Sequence, residues 1–152
     1  MLNVVEYTDA RKEAFKTLNY EWLEKYFKVE PVDVLLLSKP KEEIIDKGGQ
    51  VFFAEYNGDI VGTAALIPLG DNTFELGKMA VTEKYRGLGI GKKLIEHCLQ
   101  FSKLNGVKKL ILYSNRKLHS AIHLYEKYGF TEATVEPGHY ERADIKMERL
   151  IQ

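Results

Sequence analysis

Apolar side chains near the start of the chain recur every three or four positions. Phe15, Leu18, Trp22 and Tyr26 have the spacing that lines one face of a helix, and Asp9 stands ahead of them as a cap, so the pattern predicts a helix from Asp9 to about Phe27. Val4 to Tyr7 reads as a short strand before it. Pro31 breaks the helix, a short helical stretch around Asp33 to Ser38 follows, and Pro40 begins another that stops at Gly48-Gly49.

The period then changes. Val51 to Tyr56 and Ile60 to Ile67 are β-prone apolar runs joined across Asn57-Gly58, a dipeptide that readily takes the positive φ angles of a two-residue hairpin. Gly70-Asp71-Asn72 marks a second turn, and Thr73 to Val81 a third strand, in which Gly77 points to a bulge. From Gly89 to about Leu104 the helical period returns through Ile90, Leu94, Cys98 and Phe101. Asn105-Gly106 ends that helix. Lys109 to Tyr113 is a short strand, and Leu118, Ile122, Tyr125 and Tyr128 mark a last helix closed by Gly129. Phe130 to Val135 and Tyr140 to Leu150 finish as strands around Pro137-Gly138. An antiparallel early sheet followed by strand–helix–strand units predicts a mixed α/β (α+β) fold rather than an all-parallel dinucleotide fold.

The chain has 152 residues, 45% of them hydrophobic, with no repeat or linker-like stretch. That suits a single domain over residues 1–152. Lysine plus arginine and aspartate plus glutamate each number 22, and this balance argues against a general nucleic-acid binder. The lone Cys98 cannot form an internal disulfide. Residues 1–20 lack a signal-peptide core, and no apolar run is long enough for a bilayer. The expectation is a soluble, cytoplasmic protein with no membrane or nucleic-acid partner.

Arg86-Gly87-Leu88-Gly89-Ile90-Gly91 carries the most chemistry. Three alternate glycines between a strand and a helix let a ligand approach the backbone, where the helix N-terminus offers unpaired N–H groups suited to phosphate. Lys84, Arg86, Lys92 and Lys93 add positive charge to the same turn. A dinucleotide fingerprint would need glycine at Lys92, and a triphosphatase loop would need glycine at Arg86 and Ser or Thr at Lys93. Both patterns fail. By themselves the glycines read as a tight turn with a solvated basic rim.

Their surroundings carry the reading further. Arg86-x-x-Gly89-x-Gly91 follows Phe74-Glu75-Leu76-x-x-Met79-Ala80-Val81 and precedes Asn115 and Ala121-Ile122-x-Leu124-Tyr125-x-x-x-Gly129-Phe130. This order of motifs, from about Val51 to Phe130, resembles the GCN5-related N-acetyltransferase family. The resemblance implies a mostly antiparallel sheet of six to seven strands flanked by helices, and acetyl-CoA as co-substrate with no metal. It implies that the amides of Arg86, Gly87, Leu88, Gly89, Ile90, Gly91 and Lys92 wrap the cofactor pyrophosphate. Met79, Ala80 and Val81 would pair with the pantetheine arm as that strand and Lys109 to Tyr113 splay apart, with Ala121 also on the cofactor side. An N–H near Met79 or Ala80 would stabilise the oxyanion.

Tyr125 matches the family's general acid beside the cofactor sulfur; without the motif it would be an aromatic on a buried helix face. Glu75 matches the acid that some members use, often through water, to deprotonate the amine, and reads equally as a charge on the exposed side of a strand. Asn115 resembles a residue that meets pantetheine or substrate. It lies six positions before Ala121, whereas many members place an asparagine three before it, where Leu118 stands here; a helix-capping turn is the alternative.

Other candidates carry less. Cys98 reads as a buried, inert thiol, and His97 beside it faces elsewhere. His119, His123 and His139 lack a recognisable metal-ligand pattern. His139 and Tyr140 flank the acceptor cleft by the same resemblance and are candidates for substrate choice. Tyr20, Trp22, Tyr26 and Phe27 among Glu21, Glu24, Glu30 and Asp33 combine aromatics and acids that would attract a cationic amine. They equally read as core and surface of an amphipathic helix, the reading preferred unless they lie beside the cleft. The function implied is direct transfer of acetyl to a primary amine in a ternary complex, the acceptor being a small molecule or a peptide. Homodimers are common among such enzymes. The rivals are a non-catalytic acyl-CoA sensor and a protein-interaction module.

Overall fold

A computed structural model describes residues 1–136 and 140–152. The chain runs β1 (Leu2–Glu6), α1 (Lys12–Tyr26), α2 (Pro31–Ser38), β2 (Gln50–Tyr56), β3 (Asp59–Gly70), β4 (Thr73–Val81), α3 (Ile90–Leu104), β5 (Lys109–Ser114), α4 (His119–Lys127), β6 (Thr131–Ala133) and β7 (Ile145–Leu150). The strands form one seven-stranded sheet in the order β1-β2-β3-β4-β5-β7-β6. Every neighbouring pair is antiparallel except β4 and β5.

Both faces of this sheet are covered, which explains why β2 is apolar at four consecutive positions, Val51 to Ala54. Phe52 and Ala54 point to a core shared with Ile90, Leu94 and Cys98 of α3. Val51 and Phe53, on alternate positions, point to a second core with Phe15 and Leu23 of α1 and Leu37 of α2. Gly62 on β3 lets α3 pack closely: a Cβ there would lie 3.0 Å from the Ile90 side chain. The hairpin turn is as expected, with φ of 51° at Asn57 and 88° at Gly58.

The parallel junction makes the opening. β4 and β5 pair only at Thr73↔Lys109, Phe74↔Leu110 and Glu75↔Ile111. Beyond Glu75 the two strands part. β4 is bulged there: Ala65 pairs with Gly77 and Thr63 with Ala80, so β4 carries one residue more than β3 across the same step. The strained residue is Lys78, at φ 50°, rather than the glycine before it. Gly77 serves a different need, because a Cβ on it would sit 2.9 Å from Oε2 of Glu75.

Several boundaries differ from expectation. Asp9–Arg11 forms a 3-10 turn before α1 begins. Pro31 opens α2 at its first position, where a missing N–H costs nothing. After Pro40 the chain makes one wide turn, with Asp46 N–H donating to the Lys41 carbonyl at 2.8 Å, not a regular helix. Phe130 is absent from β6 because its N–H caps α4 on the Tyr125 carbonyl at 3.1 Å. The last strand starts at Ile145, not Tyr140. Pro137 and Gly138 lie outside the described residues. Among the described residues no helix is long and apolar enough to cross a membrane.

Candidate active site

Where β4 and β5 separate there is a cavity of about 200 Å³. One wall is the β4 edge from Glu75 to Val81, the other is Tyr113 to Asn115 at the end of β5 with Leu118, Ala121 and Tyr125 beyond it. Trp22 of α1 and Phe27, which caps its C-terminal end, cover a third side. The strand divergence therefore leaves one edge of Met79–Val81 without a neighbouring strand among the described residues, an edge with main-chain groups to offer an extended ligand.

At one end of this cleft lies the glycine-rich turn. Gly87 and Gly89 take φ of 82° and 75°, a backbone that L side chains resist, and Gly89 is the N-cap of α3. The first bond of the helix runs from Lys93 N–H to the Gly89 carbonyl at 3.1 Å. The amides of Ile90, Gly91 and Lys92 therefore precede the helical ladder and point from the positive end of the dipole. Arg86 N–H is engaged, donating to the Glu83 carbonyl at 3.2 Å, so the run of available donors starts at Gly87. The Arg86 side chain lies beside α1, where it donates to the Tyr26 hydroxyl at 2.9 Å.

Tyr125 projects from α4 into the cavity, its ring edge-on to Phe130 at 6.1 Å. Burial pushes its phenol up to about 12, so it keeps its proton throughout the neutral range. Asn115 also lines the cavity, with both side-chain polar atoms in use. Its Nδ2 donates to the Arg142 carbonyl at 2.7 Å and its Oδ1 accepts from Lys117 N–H at 3.0 Å. This is a turn ahead of α4 that does not cap it, since Leu118 is the N-cap and has no side-chain cap bond.

The other end is a buried ionic cluster. Glu75 is 3% exposed, and Oε2 accepts from the Tyr140 hydroxyl at 3.1 Å. Lys78, thrown inward by the bulge, donates to Asp33 Oδ1 at 2.5 Å and to the Tyr140 oxygen at 3.3 Å. Arg142 forks onto Asp33 at 2.7 and 2.9 Å and reaches Glu30 at 3.0 Å. Burial opposes ionisation of Asp33, but the Arg142 hydrogen bonds and the Lys78 charge prevail and bring its carboxyl to about 2. Burial pulls the Lys78 ammonium below its ordinary value, opposed by the Asp33 charge. Glu30 and Asp33 also form the capping box of α2, while Glu30 accepts the Glu141 and Arg142 amides at 2.9 and 3.3 Å. Those bonds hold residues 140–142 out of the sheet.

Sequence reasoning missed the joining of this cluster through Lys78 and Arg142. Trp22, Phe27, Glu30 and Asp33, read as ordinary helix core and surface, sit beside or beneath the cleft. The available signal was Glu30-Pro31-x-Asp33, a capping box with proline at the first helical position. Glu75 is buried, not exposed. Cys98 is buried and its thiol is pushed up to about 12 by burial. His97 packs edge-on against Phe52 with ring centres 4.6 Å apart, and His119 and His123 are exposed. His139 lies outside the described residues.

Comparison with known proteins agrees with this geometry. Residues 10–130 match the family model described as the acetyltransferase (GNAT) family. The N-acetyltransferase family 8 member 2 of Rattus norvegicus is 33% identical over 97 residues, covering 60% of this chain and 41% of that protein. N-acetyltransferase 8 of the same species is 32% identical over 95 residues, 59% of this chain and 43% of that one. The chain thus spans about two fifths of the length of these relatives. Over its full length it superposes on a GNAT-family acetyltransferase of Staphylococcus aureus with a TM-score of 0.90 and 27% identity, covering 100% of both chains. The fold also matches a PaiA N-acetyltransferase of Thermoplasma acidophilum in complex with coenzyme A, at a TM-score of 0.76, 18% identity and 99% coverage of both. With a family match spanning most of its residues and a seven-stranded sheet parted at β4 and β5, the chain belongs to the acetyltransferase (GNAT) family.

Proposed function

We propose that the protein is an acetyl-CoA-dependent N-acetyltransferase that carries acetyl to a primary amine by direct attack within a ternary complex. The observation that carries this reading is the run of the cleft from Arg86, where the Gly87–Lys92 turn with its main-chain donors begins, along the Met79–Val81 edge that has no strand beside it among the described residues, to Tyr125 and Glu75. An extended anionic thioester fits such a sequence of groups. The same fold in a coenzyme A complex supports it.

Acetyl-CoA supplies an acetyl group activated as a thioester. The turn amides and the α3 dipole bind its diphosphate, and the β4 edge orients the arm that follows. An aliphatic ammonium has a pKa of about 10.4 and must lose a proton before it can attack. Glu75 takes that proton. A main-chain N–H at the Met79–Ala80 bulge faces the charge that develops on the thioester oxygen as the C–N bond forms. Tyr125 donates to the sulfur as the C–S bond breaks, leaving free thiol. The second proton, shed by the nitrogen once the C–N bond has formed, leaves through solvent and balances the one that restores Tyr125, and Glu75 releases its own proton to solvent. No nucleophile is needed for a covalent acyl-enzyme, and the Cys98 thiol is sealed in the core.

The acceptor end is walled by aromatic rings and floored by a carboxylate, which suits an amine that arrives as a cation on a slender stem. A screen of amines with acetyl-CoA, read as release of free thiol, tests the activity. Tyr125→Phe should lower kcat by roughly a hundredfold or more while coenzyme A binds as before. Full turnover by that variant would remove Tyr125 from the chemistry. Coenzyme A binding with no thiol release from any amine would favour a sensor.

A further inference from the structure

We propose that Tyr140 is a positioning residue for Glu75, aiming one hydrogen bond at its carboxylate and so setting how readily Glu75 accepts the proton of the acceptor amine. The inference rests on the role given to Glu75 above and adds a residue that the sequence connected only with substrate choice.

The polarity of the contact follows from its neighbours. Lys78 Nζ lies 3.3 Å from the Tyr140 oxygen and can only donate. The hydroxyl that accepts from Lys78 turns its own proton toward Glu75 Oε2, 3.1 Å away. The order is therefore fixed: Asp33 accepts from Lys78, Lys78 donates to Tyr140, and Tyr140 donates to Glu75. The ring is held as firmly as the hydroxyl. Lys78 and Arg142 lie over it at 4.7 and 4.5 Å from its centre, and Tyr113 packs edge-on at 5.9 Å. Arg142, in turn, is anchored to Asp33 and Glu30 at the start of α2. Burial, and the charge of Glu75 beside it, hold the Tyr140 phenol far above its usual range, so it remains a donor at every working pH.

Among the described residues, the charged and titratable groups around Glu75 are Lys78 on its own strand, Asp33 on α2, Tyr113 on β5, and Tyr140 and Arg142 on the β6–β7 connection. Tyr140 combines a short contact with a neutral donor, so it tunes the carboxylate without cancelling its charge. Gly77 completes the arrangement, since a side chain there would collide with the same carboxylate oxygen.

The test is the pH profile of kcat/KM in the full chain, wild type against Tyr140→Phe, with kcat and KM separated at each pH. Losing a hydrogen bond to the charged form should move the acid limb of kcat/KM to higher pH by about one unit. The substitution removes one oxygen and keeps the ring, and a melting curve checks the fold. An unmoved acid limb overturns the proposal, and a change confined to KM with the limb fixed would reduce Tyr140 to a wall of the acceptor pocket. The role of Glu75 stands or falls separately: Glu75→Gln with undiminished kcat would refute it whatever the pH profile shows.

Discussion

The two ends of the cleft are built on opposite principles. The glycine turn at Gly87–Lys92 is mostly exposed (Ile90 is buried), contiguous in sequence and presents main-chain donors. The cluster around Glu75 is buried and made of side chains from Glu30, Asp33, Lys78, Tyr140 and Arg142, drawn from three separated stretches of chain. A diphosphate brings its own charge and needs only oriented N–H groups, which any residue can supply once glycine permits the turn. Proton transfer from an amine needs a particular carboxylate in a particular electrostatic setting, and that demands side chains held by other side chains. The difference teaches that one site tolerates change in side-chain identity where the other does not.

The largest effect should follow from breaking the buried end. Asp33 accepts from Glu30 N–H, from Lys78 and twice from Arg142. Asp33→Ala would leave two cations short of a partner in the interior and should cost roughly 3–5 kcal/mol of stability, read by urea denaturation. A loss below about 1 kcal/mol would show that the cluster is not tightly held.

Acid should separate the same two regions. The Asp33 carboxyl falls to about 2 in the fold from an ordinary 3.8, so the fold binds this proton less readily than the unfolded chain does. Its contribution is complete above the ordinary value and disappears as the pH drops through about 4 toward 2. The loss is on the order of 2 kcal/mol. In Asp33→Asn that acid dependence should be correspondingly shallower, as measured by stability against pH.

The smallest effect on stability should come from the exposed turn. A Cβ at Gly89 meets nothing within 4 Å, so Gly89→Ala suffers only the backbone strain of φ 75°, about 1–2 kcal/mol. Coenzyme A affinity should nevertheless fall by about tenfold, because relaxing the strain turns the following amides away. Calorimetry with unchanged affinity would contradict the donor geometry.

This contrast also explains what the chain reveals on inspection. The turn was legible because its requirement is local: alternate glycines between a strand period and a helical period leave few other uses. The hairpin at Asn57-Gly58 and the extent of β4 were legible for the same reason. Asp33 was not, since a carboxylate three residues into a short helix looks like surface until Lys78 and Arg142 arrive from other elements. Lys78 would be expected to face solvent, and only the bulge reverses it. The premature start given to the last strand has the same origin, because residues 140–142 are tied instead to Glu30, Asp33 and Asn115 from other elements.

The central claim is that coenzyme A lies in the gap between β4 and β5 with its diphosphate on the turn amides. The most direct measurement is a nitrogen-15 NMR titration of the full chain with coenzyme A. The amides of Gly87, Gly89, Gly91 and Lys92 should shift most, with those of Met79, Ala80 and Val81 moving at the same ligand concentration. Saturable binding that leaves these amides in place and perturbs another surface would contradict the account.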